Sequence, residues 1–112
     1  AHHKLNRLTA IIDYNKLQSI LSTHETLNLE PFRDKWLSFG WEVIEVNGHN
    51  HSALLKALKT PKSRPKKPLC IIAHTIKGKG VSFMENNNLW HYRSPQGDEY
   101  LEAKKELKSK DS

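Results

Sequence analysis

The sequence predicts an α/β fold: a parallel sheet with helices on both faces. Residues 8–13 begin as a short apolar run with β-branched side chains, the pattern of a strand covered on both faces, residues 41–46 read as a second strand, and residues 69–75 are a third and the most hydrophobic. Helix-spaced stretches separate them, and the connections are long enough for crossovers rather than hairpins.

Taken in order, residues 1–7 are expected to finish a helix that begins upstream. The strand over 8–13 then turns abruptly polar at Asp13-Tyr14-Asn15. Residues 19–29 lack a sustained period and read as a surface loop. A helix is expected over about 30–39, with Pro31 near its first turn, Phe32, Trp36 and Phe39 packing on one face, and Gly40 as its stop. The second strand runs over 41–46 and closes at Asn47-Gly48. A second helix, about 51–59, would bury Leu54, Leu55 and Leu58. Residues 69–75 form the third and most hydrophobic strand. The tail from Asp98 to about Lys110 reads as a charged helix with Leu101 and Leu107 as a thin apolar stripe.

Composition sets bounds. A chain of 112 residues is one domain at most, small for an α/β enzyme with a complete cofactor site. With 37% hydrophobic residues and a mean hydropathy of −0.70, no run approaches a membrane span, and no membrane partner is expected. The single Cys70 lies in an apolar run and reads as a buried structural thiol in a reducing, cytoplasmic compartment. There the sequon Asn50-His51-Ser52 carries no meaning. The charge of +6 comes partly from Lys59, Lys62, Arg64, Lys66 and Lys67, interleaved with Pro61, Pro65 and Pro68 as a solvated linker. No aromatic residues are interleaved there to stack on bases, which argues against a nucleic-acid partner. A zinc site using His49 and His51 lacks a second Cys or a His-Glu-x-x-His motif.

Three stretches can carry chemistry. Asp13 and Asn15 stand at the carboxyl end of a buried strand, where open α/β sheets place ligands, although both residue types also simply shape turns. Thr75-Ile76-Lys77-Gly78-Lys79-Gly80 combines glycines, which let backbone amides approach phosphate, with positive charge. It lacks the spacing of a P-loop. Leu89-Trp90-His91 is the third, where a lone histidine is either structural or a proton carrier.

The segment from Thr9 to Gln18, Glu30-Pro31-Phe32-Arg33-Asp34-Lys35-Trp36, Phe39-Gly40-Trp41-Glu42-Val43-Ile44-Glu45-Val46, and Ile72 through Gly80 together resemble transketolase. The similarity runs from Ala1-His2-His3-Lys4-Leu5 to Trp90-His91, so the first residues read as native rather than as a tag. It is strongest to the amino-terminal, diphosphate-binding subunit of the two-chain bacterial type. The resemblance implies a partial thiamin diphosphate-binding fold, with residues 1–96 the later part of that domain and residues 97–112 a charged carboxyl-terminal helix. It implies transfer of a two-carbon ketol unit between sugar phosphates in the pentose phosphate pathway, using thiamine diphosphate and Mg²⁺. The amide of Asn15 and the carbonyl of Leu17 would be metal ligands. Ile76 would pack near the cofactor ring, Lys77 would lie beside the cofactor, and His91 would face the reaction centre as cofactor-binding and catalytic residue. The family's Trp-His-Gly is Trp90-His91-Tyr92 here, a variation found in the two-chain subgroup. Deoxyxylulose-phosphate synthase and dehydrogenase E1 components share fold and cofactor but resemble this chain less.

The resemblance also implies that a second subunit or domain supplies the pyrimidine-binding half, in an oligomer. The family's remaining metal ligand, an aspartate in Gly-Asp-Gly, precedes the asparagine and does not occur in residues 1–112. The isolated chain is therefore expected to bind Mg²⁺ and cofactor weakly or not at all and to be inactive alone. A non-catalytic transketolase-like scaffold and a basic nucleic-acid-binding module are the alternatives.

Overall fold

The computed structural model describes residues 1–59 and 66–110. Most of the lysine and proline linker, residues 60–65, lies outside the described residues. The chain divides into two compact units, Ala1–Tyr14 with Asn28–Thr75, and Asn15–Leu27 with Ile76–Ser112.

The first unit is a three-stranded parallel sheet. Strand β1 is Thr9–Tyr14. The second unit's hairpin, β2 (Leu17–Gln18) and β3 (Leu21–Ser22), and its one-turn helix α1 (Thr23–Thr26) come next in sequence. The first unit resumes with helix α2 (Phe32–Ser38), strand β4 (Glu42–Asn47), helix α3 (His51–Leu58) and strand β5 (Leu69–His74). The strand order is β1-β5-β4, with Thr9 opposite Leu69 and Glu42 opposite Leu69. From β1 the chain passes the place of β5 to reach β4, then steps back. Parallel crossovers are strongly biased to one hand, so reversing direction moves the connecting helix to the other face of the sheet.

The core follows that reversal. Side chains alternate along a strand, so Cys70 and Ile72 of β5 face one way and Leu69 and Ile71 the other. On the first face, Cys70, Ile72 and Tyr14 pack with Phe32, Trp36 and Trp41. There the Trp36 and Trp41 rings meet edge to face at 4.9 Å. On the second face, Leu69 and Ile71 pack with Ala57 of α3 and with Ile44 and Val46. Because β5 is central, Leu69, Cys70, Ile71 and Ile72 are 0–1% exposed. Each large apolar side chain buried this way contributes roughly 1.5–3 kcal/mol.

Several expectations are corrected. Residues 1–7 form turns, not a helix: Lys4 has φ 55, and the bonds run Lys4 N to Ala1 O and Leu8 N to Leu5 O, shorter steps than an α-helix makes. Residues 19–29 contain β3 and α1, whose start is a capping box: Glu25 N donates to Ser22 Oγ, and the Glu25 carboxylate reaches back to Ser22 N. Phe39 is 75% exposed, because α2 ends before it and Gly40 turns the chain at φ 81. In α3 the residue pressed on the sheet is Ala57, while Leu55 and Leu58 are half exposed. The small side chain lets the helix approach the strands closely, which a leucine count does not register.

The second unit holds the β2–β3 hairpin and α1, two 3₁₀ turns at Ser82–Met84 and Asn88–His91, and helix α4 (Asp98–Lys110). In α4 Ala103 is the buried position, whereas Leu101 and Leu107 are exposed and six residues apart, too far round the helix to share a stripe. Among the described residues no helix is long and apolar enough to cross a membrane.

Candidate functional site

At the carboxyl ends of the strands in the first unit, the Thr75 hydroxyl donates to the Asp13 carboxylate. Gly48 N donates to His74 O at 2.8 Å. A Cβ on Gly48 would stand 2.4 Å from Thr75 Cγ2, so glycine is what allows the turn after β4 to close against β5. Alongside, His74 Nε2 lies 2.8 Å from Glu45, and Arg33 Nε lies 3.4 Å from the same carboxylate. These polar groups satisfy one another, so Asp13 is occupied in joining two strand ends.

The five residues singled out from the sequence, Asn15, Leu17, Ile76, Lys77 and His91, all belong to the second unit. Asn15 is half-buried, and its Oδ1 accepts from Leu17 N at 2.9 Å. That Asx turn, followed by Lys16 at φ 62, bends the chain into the hairpin. Leu17 is the first residue of β2, paired with Ser22. The turn-forming role of Asn15 is thus realised, and it leaves the second lone pair of the amide oxygen for another partner.

The loop from Ile76 folds on itself. Gly78 and Gly80 take φ 75 and 108, Lys79 N donates to Ile76 O, and Asn86 N donates to Lys77 O at 2.9 Å. Glu85 lies inside this curve, with its carboxylate 3.3 Å from Lys79 Nζ and 3.2 Å from Gly80 N. The Gly80 amide is therefore donated to a carboxylate, and Lys79 is neutralised locally. Lys77 points elsewhere: its Nζ is 3.5 Å from His91 Nδ1.

Trp90 places that histidine. Its indole Nε1 donates to Phe83 O at 3.1 Å, its ring meets Phe83 edge-on at 5.2 Å, and Arg93 stacks over it at 4.6 Å. Arg93 is held in turn by Glu99. The Asn87 side chain caps the 3₁₀ turn by accepting from Leu89 N. With Trp90 anchored, its neighbour His91 is exposed, Tyr92 is edge-on to the ring at 4.8 Å, and Nδ1 meets Lys77. Sequence reading missed Glu85, because nothing local marks a carboxylate that folds back five residues. It also missed Asn87, whose cap was signalled by its type before an apolar run.

Two groups depart from their ordinary acidity. Burial pushes the Cys70 thiol up to about 11, which makes it inert and fits a structural residue. Hydrogen bonds from the Ser22 side chain and backbone hold the Glu25 carboxyl below its usual value. Among the described residues no three His, Cys, Asp or Glu side chains are grouped to hold a metal.

Comparison with known proteins gives one answer. The family model described as transketolase, thiamine diphosphate binding domain, matches residues 1–111. The chain is 43% identical over 105 residues to an apulose-4-phosphate transketolase subunit of Phocaeicola vulgatus, covering 94% of this chain and 37% of that protein. It is 34% identical over 89 residues to human transketolase, covering 80% of this chain and 14% of that one. The crystal structure of transketolase from Campylobacter jejuni superposes with a TM-score of 0.80 at 29% identity, over 95% of this chain and 16% of that chain. The chain spans little more than a third of the length of the first of these relatives. With its parallel sheet and helices on both faces, the chain belongs to the transketolase family, within the thiamine diphosphate-binding domain.

Proposed function

We propose that this chain supplies the magnesium and diphosphate side of a two-chain, thiamine diphosphate-dependent transketolase that moves a two-carbon ketol unit between sugar phosphates. The observation that carries this reading is the Lys77–His91 pair, 14 residues apart in sequence and 3.5 Å apart in space, presented by the Trp90 anchor. Residues 1–96 are read as the later part of the diphosphate-side domain, and residues 97–112 as a separate charged segment that carries helix α4, Asp98–Lys110. Relatives named as individual transketolase subunits, including one from Actinobacillus succinogenes at 40% identity, support a second subunit that completes an oligomer. The buried thiol of Cys70 suits a reducing cytoplasm, where pentose phosphate chemistry runs.

The residues present fit such a cofactor in part. Mg²⁺ takes few protein ligands, all oxygens, together with phosphate and water. Asn15 Oδ1 accepts from Leu17 N–H through one lone pair only, so it and the Leu17 carbonyl would serve as neutral ligands. No carboxylate cluster accompanies them among the described residues, so the anionic ligand is assigned to a family aspartate outside residues 1–112. Ile76 would pack beside the cofactor ring, and the Lys77 ammonium would offset diphosphate charge.

When bound, thiamine diphosphate supplies the electron sink for carbon–carbon cleavage. The chain's own contribution is proton placement. Lys77 Nζ has only donors, so where it meets His91 the Nδ1 atom accepts, and the ring proton resides on Nε2. His91 then offers an Nε2–H donor to a diphosphate oxygen or substrate hydroxyl, and it gives that proton up only as the Lys77 ammonium delivers one to Nδ1, so that the ring stays neutral.

The test uses the full-length protein with its second subunit, titrated with thiamine diphosphate at fixed Mg²⁺. Asn15→Ala and Lys77→Met should each weaken binding by about tenfold or more, the effect of losing a contact to a charged group. Cofactor binding by both variants at wild-type affinity refutes the assignment.

A further inference from the structure

Of the eight asparagines in residues 1–112, Asn47 alone is followed by glycine. A glycine nitrogen has no neighbouring side chain to hinder its attack on the preceding amide, so an Asn-Gly pair loses ammonia far more readily than other asparagine pairs. The reaction consumes only water. Gly48 N gives its proton to base and bonds to Asn47 Cγ, the Cγ–Nδ2 bond breaks, and ammonia leaves a five-membered succinimide. Water then opens one of the two imide C–N bonds. One opening yields aspartate. The other routes the main chain through the former side chain as isoaspartate, with one extra backbone carbon.

Asn47 is exposed at the end of β4, so water and hydroxide reach it and burial gives it no protection. Both reacting groups are nonetheless engaged. Gly48 N–H, the proton that must leave, is donated to His74 O at 2.8 Å, continuing the pairing of Asn47 with His74 across β4 and β5. Asn47 Oδ1 accepts from His49 N at 2.9 Å, which fixes the side-chain amide, and Asn47 O accepts from Asn50 N at 3.1 Å, which fixes the backbone beside it. Polarising the amide in this way does not help attack while the nucleophile's proton is held by His74. The fit to β5 leaves no slack: a Cβ on Gly48 would stand 2.4 Å from Thr75 Cγ2 and 3.2 Å from Ala73 Cβ. Bringing Gly48 N onto Asn47 Cγ therefore requires the ends of β4 and β5 to separate first.

We propose that Asn47-Gly48 is a latent deamidation site, closed by the hydrogen bond from Gly48 N to His74 O and opened only by local separation of β4 from β5. The inference does not depend on the cofactor reading above. Deamidation and amide exchange at Gly48 need the same bond broken and the same proton removed by base. Deamidation further needs the backbone to move, so the native structure slows it at least as much as it slows exchange. The two products differ in fate. The aspartate product keeps an oxygen where Asn47 Oδ1 accepts from His49 N–H. The isoaspartate product displaces Gly48 by one backbone carbon against Thr75, whose hydroxyl donates to Asp13 at the end of β1.

Peptide mapping by mass spectrometry tests this on the full-length protein, held at mildly alkaline pH in buffer and in urea, with hydrogen exchange followed at the Gly48 amide. Deamidation at Asn47 should be about tenfold or more slower in buffer than in urea, the effect of holding the opening behind one or two hydrogen bonds. Equal rates in the two conditions overturn the proposal. Slow deamidation beside an unprotected Gly48 amide overturns it too, because the bond to His74 is then not what closes the site. Deamidation slowed less than exchange has the same consequence. On dilution from urea the aspartate product should regain the native circular dichroism and the isoaspartate product should not; isoaspartate at position 47 in natively folded protein contradicts the tight fit of Gly48 to β5.

Discussion

Replacing Gly78 by alanine separates two costs that usually arrive together. Gly78 has φ 75, and a Cβ there would stand 2.4 Å from Met84 O and 2.7 Å from Met84 C. Those are backbone atoms and cannot rotate aside, so the 77–86 loop must open. Gly97 is the control: it also has positive φ, at 53, but a Cβ there meets nothing within 4 Å. Holding an L residue in left-handed backbone costs about 1–2 kcal/mol, partly offset by the lower chain entropy of unfolded alanine, about 0.4–1 kcal/mol. Gly97→Ala should therefore cost about 1 kcal/mol. Gly78→Ala adds forced overpacking of about 1–3 kcal/mol, for a total of about 2–4 kcal/mol. Urea unfolding of the full-length protein reads both, provided the slopes agree. Opening the loop would also break the bond from Asn86 N to Lys77 O and separate Lys77 from His91, so the His91 ring resonances should shift in Gly78→Ala and stay in place in Gly97→Ala. Equal destabilisation of the two variants, or unchanged His91 resonances in Gly78→Ala, refutes the reasoning.

The pH and reactivity of two side chains give further checks. Cys70 is fully buried with its acidity pushed to about 11, so a disulfide reagent at neutral pH should label it only at the rate of unfolding, and labelling of the native protein within seconds contradicts its placement. Its raised value also gives a sign: the buried thiol's contribution is complete below the ordinary thiol value of 9.0 and is lost as pH rises toward about 11, a decline that Cys70→Ala should abolish. Glu25 is held below its ordinary value of 4.5, so its contribution to the α1 start is present above that pH and lost as pH falls through the lowered value. Glu25→Gln should remove that acid-side dependence from hydrogen exchange at residues 23–27; an unchanged profile rules out the capping box as its source.

The three strands and the larger helices are legible in the sequence because their signals are local. A run such as Leu69-Cys70-Ile71-Ile72 has one stable use, and Gly40 and Pro31 punctuate α2 by their own backbone limits. The capping box of Ser22 and Glu25 is equally local, yet it lies in a stretch whose lack of period reads as loop. The choice of Ala57 over Leu55 and Leu58 as the packed face of α3 is not local, because it depends on how close a helix can lie to β5.

By itself the sequence determined the fold class and the family, since hydrophobic period and motif residues are written along the chain. Only the tertiary structure decided which charges remain for chemistry. Whether Lys77 or Lys79 meets a carboxylate depends on where Glu85 returns, and whether His91 is presented depends on Trp90 reaching Phe83. Electrostatic pairing is a matter of distance in space, and the loop that sets those distances is closed by glycine backbone and side-chain anchors whose partners lie several residues away.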